Sequence, residues 1–568
     1  MAEDRIIKTR AIKASGDNTH GLIETCEAAL RSARILEGHA HSGITKAVVK
    51  NGKVDSDRVN ANQFSSHGYA WLATYVEALS QLLDWAERLR GSGLFGELEN
   101  LILRAGFGDY LAQIRGGISM SQVETIRLPD LGINEKTQRA FETTEVNYLI
   151  REGNSPQTRQ AIADLIIDGH FGNLGLEDVE LQLIHDQFQK FSDEKISPHA
   201  QSWHKTNCLI PDEVIAEMSQ LGGFGLTMPQ EWGGSASGKT AMCLVTEELC
   251  RGYLGVGSLA TRTEIAADLI RAHGTESQKQ QWLLGLAKGE VLPTALFTEP
   301  DIGSDLASVG TRANHIGNVY KINGAKTWST HASRADLMTM LVRTNSNQLG
   351  YRGISMLLAP KPRGTSAEPF PAPGMRGTEI TVLGYRGMKE YEIGFDDFEV
   401  PDDCLLGGIE GHGFKQLMSG METARIQTAA RSIGVAQNAL ELGLSYAVER
   451  RQFGRPIYDF PRISAKLAYM TVEIMIVRQL TWAAARKKDA GRRCDLEAGM
   501  AKLLAARVAW SSADNAMQVH GGNGYAEEYP ISRVLLDSRI LNVFEGTGEI
   551  QAQIIARRLL EGNRAPAN

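Results

Sequence analysis

The chain has 568 residues, 42% hydrophobic and 22% charged, with a formal net charge of −7. That length exceeds what one hydrophobic core supports, since chains split into domains beyond about 250–300 residues. The acidic balance leaves no basic footprint for nucleic acid, and no apolar run reaches the roughly 18–20 residues that a membrane span needs.

The opening Met1-Ala2-Glu3-Asp4-Arg5 is too polar for a secretory signal. From there to about residue 180 the pattern is helical, with apolar residues at three- and four-residue steps over 21–36, 67–89 and 96–118. Gly91 and Gly93 separate two of these helices, Gly106 and Gly108 weaken the third, and Leu128-Pro129-Asp130-Leu131-Gly132 marks a turn. No acid, base or phosphate-loop cluster occurs here, so 1–180 is expected to be a helical domain for packing or assembly. Over 181–293 the helical signal strengthens. A helix over 181–196 is expected to end at Pro198, Pro211-Asp212-Glu213 to open another, and 278–286 to form one more. Over 294–405 the period changes to two, with strands expected at 319–326, 337–342, 354–358 and 393–398 and a turn at Asn323-Gly324. Dense glycine and proline suit a small barrel or sandwich. After Gly413 the chain is helical to the end, 406–568 forming a bundle. The cysteines (Cys26, Cys208, Cys243, Cys250, Cys404, Cys494) are scattered without metal-ligand spacing. No metal is therefore expected, and reduced thiols in a cytoplasm are the simple reading.

Five strings carry chemistry. Phe297-Thr298-Glu299-Pro300-Asp301-Ile302-Gly303-Ser304-Asp305 joins a proline-fixed turn, a glycine that lets backbone approach a ligand, and a serine hydroxyl suited to phosphate. Lys326-Thr327-Trp328-Ser329-Thr330 follows an Asn-Gly pair, and Glu449-Arg450-Arg451-Gln452-Phe453-Gly454 sets an arginine pair at a helix end. Gln518-Val519-His520-Gly521-Gly522-Asn523-Gly524-Tyr525 is a three-glycine loop, whose bare amides admit a flavin or phosphate. Phe544-Glu545-Gly546-Thr547-Gly548-Glu549-Ile550-Gln551 puts a carboxylate before a glycine turn between two helices.

Together, and in this order, these strings resemble the acyl-CoA dehydrogenase family over roughly residues 180–565. The resemblance implies a multidomain α+β fold: a helical domain (181–293), a central β-barrel or sandwich (294–405) and a C-terminal four-helix bundle (406–568), with 1–180 as an extra N-terminal helical domain. It implies FAD as cofactor. Phe297, Thr298, Gly303, Ser304, Trp328 and Thr330 would hold the flavin of their own subunit. Arg450, Phe453, Gln518, Gly521, Gly522, Thr547 and Glu549 would reach a flavin across a subunit interface, so a homo-oligomer is implied. Glu549 departs from the Gln found in some relatives. Glu545 falls on the catalytic base. Some relatives carry the base elsewhere, just before an arginine of the first long C-terminal helix. Ala424 occupies that position here and cannot accept a proton, leaving Glu422 as runner-up base.

The implied reaction removes an α-proton from a saturated thioester while hydride leaves Cβ. A carboxyl of ordinary pKa, about 4.3, is a poor base for such a carbon acid, and burial on substrate binding is expected to raise it. Ser304, Arg425, Phe544, Arg251 and Glu390 are placed at the substrate. Arg251 stands where relatives acting on glutaryl-CoA hold the distal carboxylate. It could equally pair with Glu247, Glu248 or Glu264 inside the protein. A helical extension of that size resembles one found in some relatives, and together with the charged pocket that resemblance implies a short branched dicarboxylic acyl-CoA, (2S)-methylsuccinyl-CoA oxidised to mesaconyl-CoA in the ethylmalonyl-CoA pathway, with electrons passed to electron-transferring flavoprotein. Glutaryl-CoA or another short-chain substrate, an oxidase delivering electrons to oxygen, and a flavin- or CoA-binding scaffold remain alternatives. A dimer is expected rather than a tetramer, with the N-terminal block covering the surface where a second dimer would dock.

Overall fold

The computed structural model describes residues 17–176 and 178–562. Its helices of nine or more residues are numbered here in chain order. Four precede the first catalytic-type motif by a wide margin: α1 (Asp17–Val48), α2 (Gln63–Gly91), α3 (Glu97–Gly116) and α4 (Pro156–Ile166). Six follow before the sheet: α5 (Val179–Phe191), α6 (Ser197–Lys205), α7 (Asp212–Gln220), α8 (Gly238–Gly252), α9 (Leu254–His273) and α10 (Glu276–Ala287). Five close the chain: α11 (Gly413–Glu449), α12 (Pro461–Asp489), α13 (Asp495–His520), α14 (Pro530–Ile540) and α15 (Gly548–Glu561). Pro198 differs from its expected role. It sits in the first turn of α6 and opens that helix, where a missing N–H costs nothing, and the chain passes from α5 to α6 through a π-turn over Ser192–Ile196.

Between α10 and α11 lies one curled sheet of seven strands: β1 (Pro293–Leu296), β2 (Arg312–Ile316), β3 (Val319–Lys326), β4 (Leu337–Arg343), β5 (Ile354–Pro360), β6 (Met375–Ile380) and β7 (Glu390–Pro401). The order is β6-β7-β3-β2-β4-β1, with β5 also on β4. β2 and β4 meet at the single pair Arg312↔Arg343, so two smaller sheets join at a corner around one core that includes Ile322, Met338, Met340, Leu357, Ile393 and Phe395. The expected Asn323-Gly324 turn is absent: both residues lie inside β3. Gly324 has φ +145°, and a Cβ there would sit 2.8 Å from Cα of Thr311. Asn323 instead clamps the bulge in β7, exchanging hydrogen bonds with Asp397 at 2.8 and 3.0 Å.

The N-terminal helices do not stand apart. One continuous hydrophobic core runs from Leu22 of α1 through α12 and α13 to Leu559 of α15. The seam is also polar. Arg507 of α13 lies over the Trp71 and Tyr75 rings of α2, 5.1 and 5.2 Å from their centroids, and donates to Tyr75 Oη at 2.6 Å. Tyr469 of α12 donates to Asp109 of α3, and Arg88 of α2 to Gln479 of α12 at 3.1 Å. Buried groups satisfied this way fix one docking geometry. α11 crosses α8 closely because Gly434 has no side chain: a Cβ there would lie 2.2 Å from the Glu247 carbonyl oxygen. With 37 residues α11 is about 55 Å long.

Candidate active site

Three helices and one turn converge on Glu545. The residue sits between α14 and α15 at φ +55°, a left-handed conformation costly to a residue with a side chain and usually retained where function requires it. Its turn is tied from two sides. Gln551 Nε2 donates to the Glu545 carbonyl at 3.0 Å, and Lys502 Nζ of α13, fully buried, donates to the Gly546 carbonyl at 2.6 Å. Thr547 then caps α15 by accepting from the Ile550 N–H. Burial pushes the Lys502 ammonium down to about 7, against the pull of Glu545.

The Glu545 carboxylate is engaged at both oxygens. Arg431 Nη2 of α11 donates to Oε1 at 2.7 Å, Thr428 Oγ1 donates to Oε2, and Arg262 Nη1 of α9 stands 3.9 Å from Oε1. Burial alone would raise its pKa. Arg431, then Arg262 and the hydrogen bonds from Thr428 and Arg431, outweigh burial and hold it below the usual carboxylate range. The base, expected to be pushed up on substrate binding, is thus pulled down in this state by Arg431 and Arg262. Arg425, one turn before Thr428, is buried as well, and burial lowers its pKa. Arg262, Arg425 and Arg431 each keep a buried Nε–H without a hydrogen-bond partner. Glu422 belongs elsewhere, its carboxylate 2.6 Å from Lys488 Nζ.

Phe544 forms the apolar wall, with the Arg431 guanidinium 4.5 Å from its ring centroid and Tyr385 meeting it edge-on at 5.6 Å. Tyr385 is also left-handed (φ +58°), held by its N–H to Asp537 Oδ1 at 2.6 Å, and its buried hydroxyl faces Arg262. Arg262 links this wall to the motif loops, since its Nη2 lies 3.3 Å from Thr330 Oγ1, which in turn donates to Glu390 at 2.8 Å. Glu390 is buried, which drives its carboxyl up to about 7 despite the Thr330 hydrogen bond and Arg262. The acid stays neutral in place while the unfolded chain ionises above about 4.5, so stability is lost as pH rises from about 4.5 to about 7. Glu390→Gln should therefore melt like the parent near pH 4 and be more stable by up to about 3 kcal/mol near pH 9. Equal melting temperatures at the higher pH would mean that Glu390 ionises freely.

The expected flavin loops are neighbours. Lys326 Nζ reaches the Phe297 carbonyl at 3.3 Å and Glu299 at 2.8 Å, and the Thr327 N–H donates to the Thr298 carbonyl at 3.0 Å. Glu299 also takes the N–H groups of Gly310 and Thr311 and so serves as a strut for the loop. Beside these lies Trp328, 54% exposed and left-handed at φ +54°, with Gly303 and Ser304 exposed on the adjoining loop. Arg450, Phe453, Gln518, Gly521 and Gly522 form a second group on the surface, at the ends of α11 and α13. Phe453 is 91% exposed, and Gly303, Gly521 and Gly522 face open space where a Cβ would meet nothing. Exposed aromatic faces, bare glycine amides and arginine suit a dinucleotide with two ring systems and a pyrophosphate. The two groups are not together in one chain. From Thr428 to Arg450 is 22 residues of continuous helix, about 33 Å. Glu549 is exposed in the first turn of α15, its carboxyl lowered by its own backbone N–H and Thr547.

Arg251 is not available to a ligand. Its Nε binds Glu248 at 2.7 Å, Nη2 binds Asp193 at 2.7 Å and Nη1 binds Glu441 at 3.3 Å. All three nitrogens are engaged by carboxylates of the chain, so a buried arginine has found its counter-ions internally. Among the described residues no three His, Cys, Asp or Glu side chains cluster to hold a metal, and no helix is long and apolar enough to cross a membrane.

Three family models match in succession: acyl-CoA dehydrogenase N-terminal domain over residues 178–290, middle domain over 294–398 and C-terminal domain over 411–560. The chain is 56% identical over 544 residues to a (2S)-methylsuccinyl-CoA dehydrogenase of Cereibacter sphaeroides, covering 95% of this chain and 98% of that one. Among solved structures it resembles a chain described with the electron transferring flavoprotein of Acidaminococcus fermentans (TM-score 0.64, 31% identity, 68% of this chain and 98% of that one). It also resembles a glutaryl-CoA dehydrogenase from Mycobacterium smegmatis in complex with FADH2 (TM-score 0.62, 28% identity, 67% and 95%). The match to the Cereibacter protein extends into the N-terminal helices, which those two solved chains leave uncovered.

Proposed function

The chain belongs to the acyl-CoA dehydrogenase family and is an FAD-dependent oxidoreductase, and from that premise we propose that it oxidises a short branched dicarboxylic acyl-CoA, (2S)-methylsuccinyl-CoA to mesaconyl-CoA. The observation that carries this reading is the surplus of positive charge around Glu545. Two buried guanidiniums, Arg262 and Arg431, each with an unpartnered Nε–H, face the Glu545 carboxylate, and a buried donor without a partner is expensive. A second carboxylate, supplied by the substrate, restores the balance. A monocarboxylic acyl chain cannot. The relation to the Cereibacter enzyme supports the same substrate.

In this reading Glu545 receives the α-proton, and its backbone N–H is one donor for the charge developing on the thioester oxygen. Phe544 and Tyr385 exclude water from the acyl group. Thr330 and Trp328 would wall the flavin ring, and Phe297, Thr298, Gly303 and Ser304 would hold its pyrimidine and phosphate side. When bound, FAD supplies the acceptor for the hydride leaving Cβ. Arg262 and Arg431 hold the distal carboxylate.

Arg450, Phe453, Gln518, Gly521 and Gly522 serve a second copy's cofactor, because about 33 Å of helix separates them from the base of their own chain. That supports an obligatory homo-oligomer, of which the dimer is the smallest, with electron-transferring flavoprotein as the acceptor of the electrons. Six free thiols, five of them buried, suit a reducing cytoplasm.

The test is anaerobic mixing of the yellow holoenzyme with methylsuccinyl-CoA, glutaryl-CoA and butyryl-CoA while flavin bleaching is followed. Methylsuccinyl-CoA should bleach fastest by at least about tenfold. Faster bleaching by glutaryl-CoA or butyryl-CoA would replace this substrate. Peroxide formed in air at the rate of turnover would make the protein an oxidase, and no bleaching with any thioester would leave a binding scaffold.

A further inference from the structure

The base and the substrate anchor are the same cluster. Glu545 could not be better placed to be held inactive: Oε1 accepts from Arg431 at 2.7 Å, Oε2 accepts from Thr428, and Arg262 closes the third side at 3.9 Å. Arg431 itself donates to Thr428 Oγ1 at 2.8 Å, so guanidinium, hydroxyl and carboxylate form one closed ring of hydrogen bonds. A carboxylate engaged at both oxygens is a weak base, and it faces its partners instead of a carbon acid. Other charges around it leave the ring intact: Lys502 of α13 is turned to the Gly546 carbonyl, and Arg425 of α11 is balanced by Asp495 and Glu422 before Glu545.

We propose that the substrate's distal carboxylate displaces Glu545 from Arg431 and Arg262, so that only an acyl-CoA carrying that carboxylate frees the base to take its α-proton. The arginines are thus a lock as well as an anchor, and discrimination against uncharged chains acts on the chemical step in addition to binding. On the guanidiniums one carboxylate replaces another, and the cost of the exchange falls on Glu545. It leaves Glu545 buried beside Phe544 without its counter-ions, an environment that raises its basicity when it is needed. This inference rests on the dicarboxylic reading of the site.

The experiment compares flavin reduction of the holoenzyme, at saturating thioester, by methylsuccinyl-CoA and by 2-methylbutyryl-CoA, in which a methyl group replaces the distal carboxylate. Arg431→Gln removes lock and anchor together, so reduction by methylsuccinyl-CoA should fall and reduction by 2-methylbutyryl-CoA should rise, each by about tenfold. Thr428→Val loosens the ring and keeps both arginines. It should raise the rate with 2-methylbutyryl-CoA several-fold. A simple anchor predicts no gain with the uncharged thioester in either variant. If both variants retain bound flavin and the parental melting temperature and neither gains, the lock is overturned. If Arg431→Gln does not fold, Thr428→Val decides alone on the same criterion. A parent enzyme that reduces its flavin equally fast with both thioesters would instead overturn the dicarboxylic reading itself.

Discussion

Glu545→Gln is expected to keep flavin and acyl-CoA binding while flavin reduction falls by about three to four orders of magnitude, the scale of a lost general base. The amide is nearly isosteric and still accepts from Arg431 through its carbonyl oxygen, so the fold around the left-handed turn should survive. The Lys502 and Gln551 contacts go to backbone carbonyls, which the substitution leaves in place. What disappears is the only carboxylate in contact with Arg431 among the described residues. Stopped-flow reduction with saturating thioester measures it. A variant bleaching within tenfold of the parent would transfer the role of base to another group, and Glu422 would be a poor candidate because Lys488 holds it outside the cluster.

A chain beginning at Asp178 is expected to yield no soluble, flavin-loaded enzyme, although three family models lie wholly within it. Removing the preceding helices would uncover the sides of α12, α13 and α15 that share their core, and would strand Glu473 and Arg507 without Tyr110 and Tyr75. Exposed apolar faces of that extent associate or aggregate. If in the full-length protein the same coverage removes a surface from assembly, light scattering is expected to give twice 62.1 kDa, the mass of two chains. A soluble truncated holoenzyme would show that the block is dispensable. A full-length mass of four chains would show that it does not restrict assembly.

The motif loops were legible because their chemistry is local: proline, glycine and hydroxyl residues within nine positions announce a turn that approaches a ligand. The period-two stretches at β3, β4, β5 and β7 were legible for the same reason. Arg431, Lys502 and Tyr385 were not, because they come from different elements and meet Arg262 of α9 only when α11, α13 and the loop before β7 pack against it. A charge on a helix buried all round carries no sign of which neighbour it faces. Arg251 illustrates the limit, since its place in the chain suggested a substrate contact and three internal carboxylates claimed it. Asn323-Gly324 and Pro198 show the converse error, residues typical of a turn or an ending placed inside a bulged strand and at a beginning.

The length of α11 has a genetic consequence. The helix carries Thr428 and Arg431 near its middle and leads into Arg450 and Phe453 at its end, so in a shared-site dimer each chain gives its base to one centre and its helix end to the other. Two alleles, one lacking Glu545 and one lacking the helix-end contacts, would each be inactive alone. Mixed dimers of the two would contain one centre free of both lesions, so the alleles would complement each other to about half of normal activity per mixed dimer.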